Sequence, residues 1–418
     1  MLKKYYEKIN KKSRGAKMKV YLDNGATTKT DSVVVKAMLP YFVKNYGNAS
    51  SLHYQGLDAK KAIDDARKKF AEYINAATEE IIFTSGGTES DNMSILGVVN
   101  YHKERKEQVH IITSTIEHPA VLNTCKHLEL EGIEVSYINV DSEGVLKLDE
   151  LKSAIKPYTR LITIMHANNE IGTIQPIKEI GDIAKAHSII FHSDAVQSFT
   201  KLKIDVKELN IHLMSFSAHK IHGPKGIGAL YIKKGTSIKP LYFGGAHEFK
   251  KRPGTENVTG IIGFVKAIEL VKQEELKSME KLRDRLIEGL LQVPHSMLNG
   301  SKDKRLCNNA NVGFEYIEGE GLLMHLSQKG ICVSTGSACS SKSLEPSHVL
   351  AALGLKHEVI HGTLRFTLSR YTTEKEIDYT IKSVKAVVKK LRKFSPLKEG
   401  VVYTAVDGEE DHHHDIVE

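Results

Sequence analysis

Lys220 stands where an amine can do covalent work. The apolar run Leu213–Phe216 ends in Ser217, Ala218, His219 and Lys220, and a turn rich in glycine and proline leads from Ile221 to Gly228. A lysine held there can lose part of its hydration and form a Schiff base with a carbonyl. Taken alone it reads far more readily as a surface lysine. The run before it, Phe191-His192-Ser193, ends on the carboxylate of Asp194, which alone also reads as a helix cap. An amine and an acid at successive strand ends suit a pyridine cofactor bound through an aldehyde, because a protonated ring nitrogen is the better electron sink; pyridoxal phosphate has that need.

Three further stretches add polar groups at the ends of such runs. Thr84-Ser85-Gly86-Gly87-Thr88-Glu89-Ser90-Asp91-Asn92 leaves a strand and opens a helix, so main-chain N–H groups at Gly87 and the Thr88 hydroxyl can cradle a phosphate. It is no P-loop, since the Gly-Lys-Ser/Thr ending is missing. Glu117-His118-Pro119 offers an imidazole that can stack on a ring and exchange protons. His166–Gly172 offers the amide of Asn169. Each of these alone is loop polarity or a helix entry. Val333–Ser341 surrounds one thiol, Cys339, with small and polar residues, the make-up of a loop able to carry a nucleophile. Cys125, Cys307 and Cys332 complete the set of four; none forms a CxxC pair, so zinc-ribbon and thioredoxin chemistry have no support and free thiols in a reducing cytoplasm fit best.

The elements that must position these residues alternate along the chain. Ile81–Thr84, Val109–Thr113, Glu134–Ile138, Leu161–Met165, Ser188–His192, Leu213–Phe216 and Gly228–Ile232 read as strands. Helical periodicity fills 55–75, 89–106, 119–131 and 177–187. This alternation predicts an α/β fold with a mostly parallel, doubly wound sheet and functional loops at the strand ends. One long helical pattern follows at about 258–292. After Pro294 the spacing becomes α+β, closed by a helix near 374–393. The expected division is a large domain over 31–270 and a small α+β domain from 18–30 and 271–395 that carries the Cys339 loop.

Charge narrows the function classes. The net charge of the 418 residues is +8, yet residues 1–19 hold eight Lys/Arg against Glu7, so the rest of the chain carries about +1. A basic arm over 1–17 is indicated, with no phosphate-tracking stripe and hence no nucleic-acid partner. That arm has no apolar core of a secretory signal, and no run of eighteen apolar residues suggests a membrane span. The stretch 396–418 is acidic and carries His412, His413 and His414 in a row; it reads as a flexible tail. No resident metal site is indicated.

The ordered set Tyr21-Leu22-Asp23-Asn24, SGGTESDN, EHPAVLNTC, HANNEIG, HSDAVQS, SFSAHKIHGPKGIGALY, RPGTEN, STGSACSS and GTLRFTLSRYTTEKEID resembles the cysteine desulfurases of the NifS/IscS type over about residues 18–395. These are pyridoxal-phosphate enzymes of the aspartate-aminotransferase-like, class-V fold group (type I). The resemblance implies Lys220 as the lysine that attaches the cofactor, Asp194 as partner of the ring nitrogen and His118 as the stacking, proton-transferring imidazole. It implies Thr88, Ser217 and His219 as phosphate ligands beside Gly87, Gln197 on the ring hydroxyl, and Asn169 orienting cofactor and substrate. Thr255 is implied to reach the phosphate of the other subunit of a homodimer, and Arg365 to clamp the carboxylate of L-cysteine. Cys339 is implied as the persulfide carrier, which passes sulfur to an iron–sulfur scaffold or another acceptor and touches a cluster during transfer. Gly25 stands where the family usually has alanine, and Thr335 replaces a serine. The rival readings are a selenocysteine lyase or another member of the fold group, and a silent sulfur-relay subunit. A plain transaminase needs no thiol, and a silent subunit has no need to keep Lys220, Asp194 and Cys339 together.

Replacing Cys339→Ser is expected to keep the fold and cofactor binding while sulfur release from cysteine falls by several orders of magnitude, since a hydroxyl attacks divalent sulfur poorly. Single replacements of Cys125, Cys307 or Cys332 should leave turnover nearly unchanged. Sulfide release assays and the mass of the Cys339 peptide after brief exposure to cysteine check both expectations.

Overall fold

The computed structural model describes residues 18–335 and 346–396. The basic arm over 1–17, Cys339 and the tail beyond 396 lie outside the described residues. After a short opening strand, β1 (Val20–Tyr21), and helices α1 (Ser32–Met38) and α2 (Tyr54–Tyr73), the chain lays down the large sheet. Its strands are β2 (Ile81–Thr84), β3 (His110–Ser114), β4 (Glu134–Ile138), β5 (Thr159–Thr163), β6 (Ile190–Asp194), β7 (Leu213–Ser217) and β8 (Gly228–Ile232). Most are buried on both faces, which is why their sequences run apolar instead of alternating. Helices α3 (Gly87–Lys103), α4 (Pro119–Leu130) and α5 (Ile177–Ala186) connect them.

The seven strands lie in the order β2-β8-β7-β6-β5-β3-β4. All neighbours are parallel except β8, which runs against both β2 and β7. Two reversals restore the direction, so β2 points the same way as β3 to β7. The carboxyl ends of these strands therefore open on one edge, and the chain leaving them there carries Gly87, His118, Asn169, Asp194 and Lys220. On this edge Gly228 pairs with both Thr84 and Ser217. A Cβ on Gly228 would stand 2.6 Å from the Phe216 carbonyl oxygen and 2.7 Å from the backbone of Gly86, so only glycine lets β2 and β7 approach this closely.

One face of the sheet is sealed by aromatic packing. Phe70 of α2 meets Phe83, Phe199, Phe216 and Phe264 with ring centroids 5.3 to 6.3 Å apart, stacked on Phe199 and edge-on to the others. A second core gathers Val20 and Leu22 with Leu286, Phe314, Leu326, Phe366, Ile377 and Val388. It lies under a three-stranded antiparallel sheet, β9 (Ser296–Leu298), β10 (Asn309–Phe314) and β12 (Thr363–Thr367), and β1 pairs in parallel with β11 (Ile331–Cys332).

The long helix expected at 258–292 is two helices, α6 (Val258–Glu269) and α7 (Gln273–Leu291). The break follows from the two cores. Ile261, Phe264 and Val265 of α6 belong to the first, whereas Leu286, Ile287 and Leu290 of α7 belong to the second. One straight helix cannot serve both, so the chain turns at Lys272, whose backbone is extended, and Arg370 donates to the freed Leu270 carbonyl at 3.1 Å. Helix α8 (Gly319–Gln328) and the capped α9 (Glu374–Phe394) close the second core.

Phe70→Ala removes the ring that joins α2, the sheet and α6. Denaturant unfolding should show a loss of about 3 to 5 kcal/mol, the range for a buried phenylalanine truncated in a close-packed core.

Candidate active site

The chain approaching Lys220 is fixed by main-chain bonds. Lys220 ends a single 3-10 turn, Ala218–Lys220, directly after β7. Its Nζ donates to the carbonyls of Gly25 (2.6 Å) and Ala26 (2.8 Å). Gln197 Nε2 donates to the same Gly25 carbonyl at 3.0 Å. Thr28 bonds the His219 carbonyl through both its N–H and its hydroxyl, and His219 Nδ1 lies 3.2 Å from Thr27 Oγ1. At its other end the segment is held to β12, where Gly25 N–H donates to Thr367 Oγ1 at 2.7 Å and Asn24 Nδ2 to the Thr367 carbonyl at 2.8 Å.

Asp194 closes β6, buried, with Oδ1 accepting from Val196 N–H at 2.8 Å. Burial raises its pKa above the usual carboxylate range, against the pull of that N–H and of the Lys220 charge. A cation placed against it would return it to the ionised form. His118 caps α4, and its Nδ1 accepts from Ala120 N–H at 3.1 Å. That bond leaves the neutral ring's proton on Nε2. Burial, then the nearby positive charge of Lys220, lowers its pKa to about 4, so the ring is uncharged at neutral pH.

The N-terminal turn of α3 is shaped for an anion. Gly86 caps it without a side chain to take the first N–H groups. A Cβ on Gly87 would meet Val196 Cγ2 at 2.6 Å and Ser217 Cβ at 3.8 Å, so the turn sits against the loop after Asp194 and the end of β7. Thr88 is exposed beside it, and burial lowers the pKa of His219 to about 4. Arg252 pairs with Glu89 of the same turn at 2.8 Å. Thr255, three residues further on, is exposed, and among the described residues no hydrogen bond joins it to the other candidate residues.

Arg365 lies on β12, 2 % exposed. One terminal nitrogen donates to the Asn169 carbonyl at 3.0 Å and the other to Asp23 Oδ1 at 3.2 Å, while Nε is buried without a hydrogen-bond partner. A buried guanidinium with an open edge is ready for a carboxylate. Arg365 also exchanges both main-chain bonds with Ser334, where the chain enters the Cys339 segment. On the far side Ser347 Oγ donates to Glu170 Oε2 at 2.6 Å, and His348 Nε2 lies 2.9 Å from the Glu117 carbonyl. The chain flanking the thiol is thus tied to the clamp and to the residue before His118. Asp23, the Gly25 and Ala26 carbonyls, Asp91 and Ser347 escape a reading for chemistry. Asp23 lay inside a quoted motif, whereas carbonyl acceptors leave no side-chain signal to find.

Residues 20–380 match the family described as aminotransferase class-V. The chain belongs to that family. It is 56 % identical over 381 residues to a cysteine desulfurase IscS of Methanosarcina thermophila, covering 90 % of this chain and 94 % of the relative. It is 50 % identical over 387 residues to the IscS of Dictyoglomus turgidum, covering 92 % and 98 %. Among solved structures it resembles a NifS-like protein with a TM-score of 0.84 at 40 % identity, covering 90 % of this chain and all of that one. It also resembles SspA in complex with cysteine, with a TM-score of 0.76 at 38 % identity over 85 % of this chain and all of that one. The class-V enzyme's cofactor is pyridoxal phosphate, and the residues here fit it. An uncapped helix end in a cradle that a Cβ would fill suits the phosphate, a buried acid suits the ring nitrogen, and a lysine near enough to that acid to lower its pKa suits the aldehyde.

If His118 is held neutral by burial and by Lys220, its ring in the cofactor-free protein should titrate near pH 4, well below the free value of about 6.5. Removing the cation in Lys220→Ala should move the midpoint upward. Histidine-selective NMR measures both, and a midpoint near 6.5 in the intact chain would contradict the geometry.

Proposed function

We propose that this class-V enzyme is a cysteine desulfurase that converts L-cysteine to L-alanine and keeps the sulfur as a persulfide on Cys339. The observation that carries the reading is the open Nε edge of Arg365, a carboxylate clamp whose own backbone holds Ser334 at the entrance to the Cys339 segment. The clamp and the thiol-bearing chain thus start from one place. High identity to relatives named cysteine desulfurase supports the same reading.

In this reading Lys220 holds the cofactor, with Asp194 at its ring nitrogen and His118 against its face. Gln197 lies at the ring hydroxyl, and Gly87, Thr88, Ser217 and His219 at its phosphate. Bound pyridoxal phosphate supplies the electron sink that makes the substrate Cα proton removable. Asn169 and Arg365 fix the substrate carboxylate, and Lys220, once free, takes the Cα proton. His118, neutral with a proton on Nε2, can hold or pass a proton beside it. Cys339 Sγ forms a bond to the substrate sulfur as the sulfur–Cβ bond breaks. The electron pair of that bond stays with the carbon skeleton, which takes up a proton and leaves as alanine. The thiolate is the attacking form, so the reaction slows as pH falls below the thiol's pKa.

The finer assignments belong to the same proposal. The division into a large domain over 31–270 and a small one from 18–30 and 271–395 is supported by the two separate cores. The exposed Thr255 loop, joined to α3 through Arg252 and Glu89, suits a homodimer in which the loop serves the neighbouring subunit. The IscS name of the relatives supports iron–sulfur cluster assembly as the pathway and a scaffold protein as acceptor. Among the described residues no helix is long and apolar enough to cross a membrane, in keeping with work in the cytoplasm.

Purified protein given L-cysteine should release alanine and sulfane sulfur in equal amounts, and Lys220→Ala should release neither. Arg365→Lys should raise KM for cysteine by about tenfold or more with a smaller effect on kcat, because the bidentate fork is lost while a charge remains. Turnover of other amino acids by transamination at a comparable rate, with no sulfur released, would overturn the proposal.

A further inference from the structure

Three carboxylates are buried around the ring site, Asp91, Glu117 and Asp194, and the reading above uses only the last. Asp91 lies on α3, 1 % exposed, one helical turn beyond Thr88. It stands near His192, which shares a face of β6 with Asp194 because the two are separated by one residue. Asp91 Oδ1 has no hydrogen-bond partner. His192 Nε2 is the charged-type group recorded closest to it, at 3.6 Å, beyond hydrogen-bond length.

His192 gives Asp91 no compensating charge. Its ring is fully buried and both nitrogens face hydroxyls, Nδ1 at 2.8 Å from Thr163 Oγ1 and Nε2 at 2.9 Å from Ser215 Oγ. Burial holds the imidazole neutral down to about pH 3. The third acid, Glu117, is satisfied by Ser114 Oγ at 2.6 Å and Met165 N–H at 3.0 Å, and burial lifts its pKa to about 8. An ionised Asp91 would thus be a buried anion with one bare oxygen, near a second anion at Asp194. Burial, then Asp194, raises its pKa well above the usual range, with the Ser215 hydroxyl opposing and Glu117 adding to the rise. The positive end of α3 favours an anion, but its influence fades within the first turn, and Asp91 is past that turn. A proton retained on Asp91 removes the buried charge and its repulsion with Asp194, and leaves only a neutral polar atom unpaired.

We propose that Asp91 is a positioning residue that stays protonated beneath Asp194, so that Asp194 alone presents negative charge to the cofactor's ring nitrogen. The proposal rests on the reading of Asp194 given above. Keeping Asp91 neutral spares Asp194 a like charge and lets the pair of Asp194 and ring cation form without competition. An amide at position 91 should do the same work, because it too is neutral and polar.

The test uses the cofactor-loaded protein and its Asp91→Asn, Asp91→Leu and Asp194→Asn variants. The infrared difference spectrum of wild type minus Asp91→Asn should show the C=O stretch of an undissociated carboxyl, unchanged across about pH 6 to 9. In Asp91→Asn the pH midpoint of the cofactor's visible absorbance should stay within about 0.3 unit of wild type and cofactor affinity within about twofold. Asp91→Leu, which offers the Ser215 hydroxyl no polar partner, should bind cofactor more weakly than Asp91→Asn. Asp194→Asn should lose affinity by about tenfold or more. Carboxylate bands in the difference spectrum, or a midpoint moved by about one unit in Asp91→Asn, would overturn the proposal. Unchanged cofactor affinity in Asp194→Asn would overturn the reading of Asp194 and take the role of Asp91 with it, while the infrared bands would still report whether Asp91 holds its proton.

Discussion

A single carbonyl organises the site. The oxygen of Gly25 accepts from Lys220 at 2.6 Å and from Gln197 at 3.0 Å, so one peptide group sets two side chains that the proposed function assigns to the cofactor. The Gly25 N–H, on the other side of that residue, is held by Thr367 two positions from Arg365. The segment Asp23–Thr28 therefore joins Arg365 and its strand to Lys220 through short hydrogen bonds. The acceptors for Lys220 are main-chain oxygens, whereas Arg365 is met by the Asp23 carboxylate. A Cβ on Gly25 would come within 3.0 Å of Thr367 Cγ2, so the glycine in place of the family's usual alanine keeps that join tight.

Electrostatics complete what this segment positions. The imidazoles at His118, His192 and His219 are all pushed below their ordinary range by burial, and the acids at Asp194 and Glu117 are pushed above theirs. The imidazoles are therefore uncharged at neutral pH, and the fixed positive charge comes from Lys220 and Arg365. The pocket's chemistry depends on the few charges that arrive, the ring cation and phosphate of the cofactor and the carboxylate of the substrate. In the proposed function these meet Asp194, the uncapped turn of α3, and Arg365. Asp23, whose own carboxyl is raised by burial and lowered by Arg365, occupies one side of that guanidinium and leaves Nε for the ligand.

Much of this was legible in the sequence, for physical reasons that can be named. Strands buried on both faces run apolar, so most of the large sheet showed itself as runs, and the polar residues after β2, β3, β5, β6 and β7 marked the functional edge. The nine ordered motifs supplied the family. The break at Leu270–Lys272 was not legible, because no glycine or proline marks it and the turn is imposed by the need of α6 and α7 to reach different cores. The double use of the Gly25 carbonyl was hidden for another reason, since a backbone acceptor has no residue type. Asp91 read only as part of a phosphate turn, as burial beside His192 is a tertiary property. The reading of Cys339 falls outside the described residues, although its flanks at Ser334 and Ser347 are anchored to Arg365 and Glu170.

The central claim is that the Gly25 and Ala26 carbonyls hold Lys220 as the amine that takes the cofactor. Borohydride reduction of the cofactor-loaded protein, followed by peptide mass analysis, tests this most directly. The account predicts a pyridoxyl adduct on the peptide that contains Lys220. An adduct on another lysine, such as the half-buried Lys201 whose pKa burial lowers to about 8, would contradict it.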